Sequence, residues 1–276
     1  CIRDRFKTTD DCGVVLKYLP DESIYVVNGE QFNMKLTYKE DIFLLDKLFQ
    51  LRSIRNQPTL LVKSDIEELH GKVVVVFGGT YGIGQEICEI CREYKTTLYV
   101  YSRSTGVDVS NSQSVRRVLS EIYEKEGRID WIVNTAGILD KQPLANMSYE
   151  VVHRSIDINY LGNIIVAKES FSYLKESKGS LLFFTSSSYT RGRALYSLYS
   201  SSKAAIVNFV QALSEEWFEY DIRVNCINPE RTKTPMRIQN FGNEPEDTLL
   251  EPKVVAIVSV NTLLSEMTGE VVDVKR

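Results

Sequence analysis

Residues 72–84 leave this chain less freedom than any other stretch. Residues 72–77 read Lys-Val-Val-Val-Val-Phe, a short apolar run of the kind a parallel sheet buries on both faces. Gly78, Gly79, Thr80, Tyr81, Gly82, Ile83 and Gly84 follow, then a helical stretch to about Tyr94. Glycines at 78, 82 and 84 let the backbone approach a pyrophosphate closely at a helix N-terminus. The spacing is Gly-x-x-x-Gly-x-Gly, not the commoner Gly-x-Gly-x-x-Gly. A ligand-free strand-to-helix turn is the weaker reading in this context.

A second stretch carries chemistry. Residues 181–184 are another buried strand, ending in the hydroxyls Thr185 and Ser186, and a polar loop with Arg191 and Arg193 follows. A helix is expected from near Tyr199, with Ile206, Val210, Leu213 and Trp217 on its buried face. Tyr199 and Lys203 are four apart and share one side of it. If the loop folds back, Ser186 faces them, and a hydroxyl, a phenol and an ammonium converge where a carbonyl could sit. A phenol titrates near 10, so a neighbouring ammonium is expected to lower its pKa. The pair alone carries little weight, since about one Tyr-x-x-x-Lys is expected by chance.

The totals are those of a globular chain: 276 residues, 43% apolar, 25% charged. The length allows one large domain, or one domain plus a fragment. No apolar run is long enough to cross a bilayer and no signal peptide is evident, so a soluble cytoplasmic protein is expected, without a membrane partner. A net charge of −4 gives no reason to propose a nucleic-acid partner. Cys88 and Cys91 form a Cys-x-x-Cys, but no second pair completes four ligands and only His70 and His153 are present. They read as small buried side chains of a helix, and no metal is expected.

Further motifs follow in order. Asp108-Val109 comes after the second strand. Asn134-Thr135-Ala136-Gly137 follows a strand over 130–133, and Asn159 lies in Ile-Asn-Tyr. Residues 179–186 end in Ser186, thirteen before Tyr199; residues 223–229 read Arg-Val-Asn-Cys-Ile-Asn-Pro, and Thr234-Pro235-Met236 come next. With the glycine loop, this series resembles the short-chain dehydrogenase/reductases over residues 71–276. The resemblance implies an α/β fold, a Rossmann-type doubly wound parallel sheet. It implies a catalytic set of Asn159, Ser186, Tyr199 and Lys203. Tyr199 would donate a proton, Lys203 would hold the nicotinamide ribose, and Asn159 would fix a relaying water. It implies cofactor contacts from Gly78, Thr80, Tyr81, Gly82, Ile83, Gly84, Ser102, Arg103, Asp108, Val109, Asn134, Ala136, Gly137, Tyr199, Lys203, Pro229, Thr232 and Thr234. Phe77 replaces the family's threonine, Glu230 replaces its glycine after Pro229, and Ser187 is an alternative to Ser186.

The second strand, over 98–101, ends at Ser102-Arg103, where an NAD enzyme would place an acid for the ribose 2′-hydroxyl. A cation there welcomes a 2′-phosphate, so NADP(H) is preferred. The loops after strands five and six hold Arg191, Arg193, Arg231, Lys233 and Arg237, which suggests a phosphorylated substrate. Ser186, Arg191, Arg193 and Tyr199 are its expected contacts. Residues 239–248 read as a short polar loop in place of a lid, giving an open pocket, before a helix over 253–264 and a last strand over 270–275. Family members pair through the helices carrying Asn159 and Lys203, so a homodimer or homotetramer is expected.

The start of the chain reads differently. Residues 24–27 suggest a strand, Asn28-Gly29 a turn and 39–51 a helix with Thr37 as N-cap and Glu40 in a capping box. Thr9-Asp10-Asp11, Asn28-Gly29-Glu30, Asn33-Met34-Lys35-Leu36-Thr37 and Glu40-Asp41 resemble the C-terminal end of the polyol-phosphate cytidylyltransferases, in which Lys35 would contact the reacting phosphates. The expected organisation is a remnant of that second α/β domain over 1–53, a linker over 54–70, and the reductase over 71–276. The chain starts with Cys, and the rest of a fused cytidylyltransferase domain is expected upstream. The whole resembles the bifunctional ribulose 5-phosphate reductase/CDP-ribitol pyrophosphorylases of bacterial capsule synthesis, which implies reduction of D-ribulose 5-phosphate to D-ribitol 5-phosphate. A reductase of another sugar, polyol or acyl substrate, and a non-catalytic NADP-binding scaffold, stay open as alternatives.

Overall fold

The computed structural model describes residues 11–25, 27–29, 34–42, 44–45 and 69–276. The chain divides into two compact units, Cys1–Phe49 and Gln50–Arg276. In the first, α1 spans Asp11–Tyr18. Ile24, Tyr25 and Val27 are exposed and form no strand, and residues 39–42 and 44–45 are helical. The helix begins at 39 as expected, but its capping carboxylate is one residue further on. The Asp41 carboxylate, not Glu40, reaches back to the backbone N–H groups of Thr37 and Tyr38, each at 2.8 Å. Those two bonds hold the Asp41 carboxyl below the usual carboxylate range. Lys35 is exposed. Thr9, Asp10, Val26, Glu30, Asn33, the end of the expected helix at 46–51 and most of the expected linker lie outside the described residues.

The second unit is built on six parallel strands: β1 Val73–Phe77, β2 Thr97–Tyr101, β3 Trp131–Asn134, β4 Ser180–Phe184, β5 Arg223–Pro229 and β6 Val271–Val274. Their spatial order is β2-β1-β3-β4-β5-β6. Between them run α2 Gly82–Glu93, α3 Ser112–Glu126, α4 Tyr149–Ile156, α5 Gly162–Ser177, α6 Ser197–Glu216, α7 Pro235–Phe241 and α8 Pro252–Leu264. This is the expected Rossmann-type, doubly wound α/β sheet.

Parallel strands need crossover helices, and the helices cover both faces. The period-two alternation of β1 divides its residues between two cores. Val73, Val75 and Phe77 pack under α3, α5 and α6 with Val118, Leu119, Val166, Ile206 and Val210. Val74 and Val76 pack on the other face with Ile87 of α2 and Val255 and Leu263 of α8. Cys88 and Cys91 belong to that second core, as read from the sequence, and burial pushes their thiols up to about 12 and about 11.

Local chemistry sets the helix ends. Asn111 caps α3 by accepting from the Ser114 N–H at 3.1 Å, and Gly127 (φ 71°) closes it in the left-handed region. Between α4 and α5 the helix loosens into a π turn over Asp157–Leu161. The Asn159 carbonyl there accepts instead from Asn163 Nδ2 at 2.8 Å. The polar loop expected over 239–248 differs most: its first three residues end α7 (235–241), which has Thr234 as N-cap and Pro235 in the first turn, and its last three form a short turn, Glu246–Thr248. No helix among the described residues is long and apolar enough to cross a membrane.

Candidate active site

From β1 the chain moves to β2 on one side, then returns to β3 on the other. The chain leaves β1 for a helix on one face of the sheet and leaves β3 for helices on the other, and a crevice opens between these paths at the C-terminal ends of the strands. A cleft of about 880 Å³ lies there. All the expected cofactor residues except Asn134 line it, and Ser186 joins them.

The glycine loop owes its shape to missing side chains. A Cβ on Gly78 (φ +81°) would lie 2.6 Å from the Ala136 backbone nitrogen, and one on Gly84 would lie 2.5 Å from the Gly78 carbonyl oxygen. The loops after β1 and β3 are thus pressed together, and Thr135 Oγ1 donates to the Phe77 carbonyl at 3.1 Å. Tyr81 occupies the N-cap of α2 without a side-chain cap, so the first N–H groups of the helix face the cleft unspent. Asn134, fully buried behind the cleft, accepts from the Ala136 N–H at 3.1 Å and donates to Asn163 at 3.0 Å. A dinucleotide pyrophosphate fits this cradle, since any Cβ at 78 or 84 would displace the backbone that forms it.

At the far end of β2, Ser102 starts a short turn closed by Thr105 Oγ1, which accepts from the Ser102 N–H at 2.8 Å. Ser102 and Ser104 share a hydrogen bond at 2.7 Å. Arg103 lines the cleft beside them and has no ion-pair partner among the described residues.

The structure brings Ser186, Tyr199 and Lys203 together. Ser186 Oγ lies where Ser188 N–H (3.4 Å) and Ser188 Oγ (3.3 Å) can donate to it. Its own proton is then left for the phenol oxygen of Tyr199, where it favours the anion. Lys203 Nζ lies 5.5 Å from the centre of the Tyr199 ring and donates to the Phe184 carbonyl at 2.8 Å. Tyr199 departs from expectation and Lys203 from its ordinary value. Burial pushes Tyr199 up to about 12 against the Ser186 hydrogen bond, and burial pulls Lys203 down to about 8. The expected lowering of the phenol by the ammonium is overturned because desolvation outweighs the hydrogen bond that favours the anion.

Asn159 is fully buried and does not line the cleft. Its side chain accepts from the Ile138 N–H and donates to the Ile138 carbonyl, each at 2.9 Å, so it fastens the loop after β3 to the π turn.

The expected cations scatter. Arg191 and Arg193 are exposed and do not line the cleft, because after the turn Ser187–Tyr189 the loop runs outward before returning at Tyr196. Leu195, at φ +72°, anchors that return by accepting from the Gln142 N–H at 2.7 Å. Lys233 pairs with Glu246. Arg237 lines the cleft but is held in a two-pronged bond to Glu244 at 2.6 and 2.8 Å. Three features carried no sequence signal. Arg154 lines the cleft, bound to both oxygens of Asp140 at 3.0 and 3.2 Å. Phe241 of α7 is crossed by Lys141 at 4.3 Å and Arg237 at 4.5 Å. Tyr196 meets the same ring edge-on at 6.0 Å. The expected open pocket is therefore bounded by a helix tied to the loop after β3.

The model of the short chain dehydrogenase family matches residues 104–245, more than half of the chain. The chain belongs to the short-chain dehydrogenases. It is 49% identical, over 96% of its length, to the bifunctional ribulose 5-phosphate reductase/CDP-ribitol pyrophosphorylase of Haemophilus influenzae, and spans 56% of that protein. A small-chain dehydrogenase solved in complex with NADPH superposes with a TM-score of 0.65 at 27% identity, covering 74% of this chain and 96% of that one. The 3-ketoacyl-(acyl-carrier-protein) reductase of Brucella melitensis, solved with NADH, gives a TM-score of 0.68 at 21% identity over 75% and 97% of the two chains. This short-chain dehydrogenase is an oxidoreductase, and a nicotinamide dinucleotide is its cofactor.

Proposed function

We propose that this chain reduces the keto group of a phosphorylated ketose, D-ribulose 5-phosphate to D-ribitol 5-phosphate, with NADPH. The observation that carries the reading is one cleft that joins a glycine cradle to a converging Ser186, Tyr199 and Lys203. The bound nicotinamide supplies a hydride. Ser186 turns its hydroxyl proton from the Tyr199 phenol to the substrate oxygen and holds it. As the carbon–hydrogen bond forms, the carbonyl electron pair moves onto oxygen, and the Tyr199 proton follows it. A phenol held near 12 stays protonated at neutral pH. It still gives its proton to an alkoxide, whose basicity is close to that of hydroxide (water, about 15.7). Lys203 holds the nicotinamide ribose, and Asn159 keeps the loop at Gly137 and Ile138 in place behind it.

Ser102 and Arg103 support NADP over NAD, because a guanidinium with no ion-pair partner among the described residues and the hydroxyls of Ser102 and Ser104 suit a 2′-phosphate, and no acid stands at the end of β2 to take a ribose 2′-hydroxyl. The 49% identity to the Haemophilus influenzae protein supports the substrate and a fused cytidylyltransferase, in which Lys35 contacts the reacting phosphates and the ribitol phosphate goes on to CDP-ribitol for capsule synthesis. Pairing through α5 and α6 into a dimer or tetramer belongs to the same reading.

The test is a panel of ketose phosphates, each assayed for NADPH oxidation, repeated with Arg103→Ala. Ribulose 5-phosphate should be the best substrate. Arg103→Ala should raise the KM for NADPH about tenfold or more while leaving that for NADH within about twofold. Inactivity on every ketose phosphate overturns the substrate, and equal changes for both cofactors overturn the NADP assignment.

A further inference from the structure

We propose that Arg231 is the residue that binds the substrate's phosphate and makes the site select phosphorylated over free ketoses; this rests on the ketose phosphate reading above. Four arginines line the cleft: Arg103, Arg154, Arg231 and Arg237. Two of these are already spent, Arg154 on Asp140 and Arg237 on Glu244. Opening either pair to bind a phosphate would leave a carboxylate facing the same anion. Arg103 follows β2, four strand spacings from β5 and so about 19 Å across the sheet from the substrate end. It serves the cofactor. Arg231 remains. It makes no side-chain hydrogen bond or ion pair among the described residues, and its field reaches Glu244, helping to keep that carboxyl below its ordinary range.

The geometry suits the role. Phe184 pairs with Ile227 in the β4–β5 register, which puts Ser186 level with Pro229 on the next strand. Arg231 follows two residues later, so its backbone lies roughly 8 Å from that of Ser186. An extended five-carbon ketose carries its terminal phosphorus about 6 Å from the C2 carbonyl. With the carbonyl at Ser186 and Tyr199, the phosphate therefore comes within reach of a guanidinium at 231.

The backbone is fixed for this. The Arg231 carbonyl accepts from the Leu250 N–H at 2.7 Å, and the Lys233 N–H donates to the Leu250 carbonyl at 2.9 Å. Thr232 between them is buried, while Arg231 is exposed to the cleft. A forked donor on a rigid strand extension is the arrangement that recognises a phosphate in two-pronged fashion.

The test compares wild type, Arg231→Met and Arg231→Lys on ribulose 5-phosphate, unphosphorylated ribulose and NADPH. Arg231→Met should lower kcat/KM for the phosphate ester about 10²-fold, the loss of a charge-assisted pair. It should leave free ribulose and the KM for NADPH within about twofold. Arg231→Lys should recover part of the loss by keeping the charge without the fork. Inorganic phosphate should compete with ribulose 5-phosphate in wild type and not in Arg231→Met. Unchanged discrimination between ester and free sugar in an active variant overturns the assignment and leaves the reductase reading standing. A rise in the KM for NADPH instead makes Arg231 a cofactor contact and also overturns it. If wild type turns over no ketose phosphate, the reductase reading fails and this inference fails with it.

Discussion

The two halves of the cleft are made of different material. The cofactor half is backbone: glycines at 78 and 84 whose Cβ atoms would strike Ala136 and Gly78, with buried amides of Asn134 and Asn163 tying the loops from behind. The substrate half is side chains on loops and on the short helix α7, held by ion pairs such as Arg154–Asp140 and Arg237–Glu244 and by the cluster around Phe241. A backbone cradle tolerates almost no substitution and binds the part of the reaction common to a whole family. A side-chain wall can change its charges one at a time, and that is where selectivity for one substrate over another would reside.

Tyr199 stands at the seam, and its removal gives the sharpest separation of the halves. Tyr199→Phe deletes the proposed proton donor and keeps the ring. It should leave NADPH affinity, read by nucleotide fluorescence, within about twofold while turnover falls about 10²- to 10⁴-fold. Substantial remaining turnover would show that the proton comes from elsewhere. The pH dependence adds to this. With Tyr199 near 12 and Lys203 near 8 in the free protein, the group that titrates in kcat/KM between pH 7 and 9 should be Lys203. Activity should fall as pH rises through about 8, when the ammonium is lost.

A weaker break tests the material itself. Gly84→Ala puts a methyl 2.5 Å from a carbonyl oxygen of the backbone, which cannot swing aside as a side chain can. Overpacking of this kind costs about 1–3 kcal/mol, and cofactor affinity should drop about tenfold or more. Gly192→Ala, on the loop beyond Ser186, meets nothing within 4 Å and should change neither affinity nor Tm measurably. If both substitutions behave alike, the contrast between backbone and side-chain halves is wrong.

The same contrast explains what could be read from the sequence. The strands over 72–77 and 181–184 were legible because a buried parallel strand needs a continuous apolar run, and that over 98–101, a half-buried edge strand, from its β-branched and aromatic residues; each lies within one residue of β1, β4 and β2. The cradle was legible because only glycine permits its contacts. The convergence of Ser186, Tyr199 and Lys203 was legible because helical spacing puts Tyr199 and Lys203 on one side of α6. The phenol's upward shift was not, since desolvation depends on packing from several elements and spacing reveals only the neighbouring charge. The cap was missed by one residue, Glu40 for Asp41; α7 was missed outright, because Phe241 is held by Tyr196 and Lys141 from other parts of the chain and its polar stretch carried no sign of this. Arg191, Arg193 and Arg231 look alike in sequence. Only the outward course of one loop and the strand-like pairing of the other with Leu250 tell them apart.

That last distinction has the smallest expected effect. Arg191→Ala and Arg193→Ala, singly or together, remove exposed cations with no carboxylate partner among the described residues. Surface changes of this kind are worth about 0.5 kcal/mol or less. The KM for ribulose 5-phosphate should therefore shift by no more than about twofold, with a similarly small change for free ribulose. Residual effects should be long-range and fall with added salt, because exposed charges about 10 Å from a phosphate are screened at 0.1 M ionic strength. A salt-insensitive, tenfold loss specific to the phosphate ester would mean that the loop after β4 folds inward on the substrate. The substrate half of the cleft would then be built by a moving loop, and not by the rigid extension of β5.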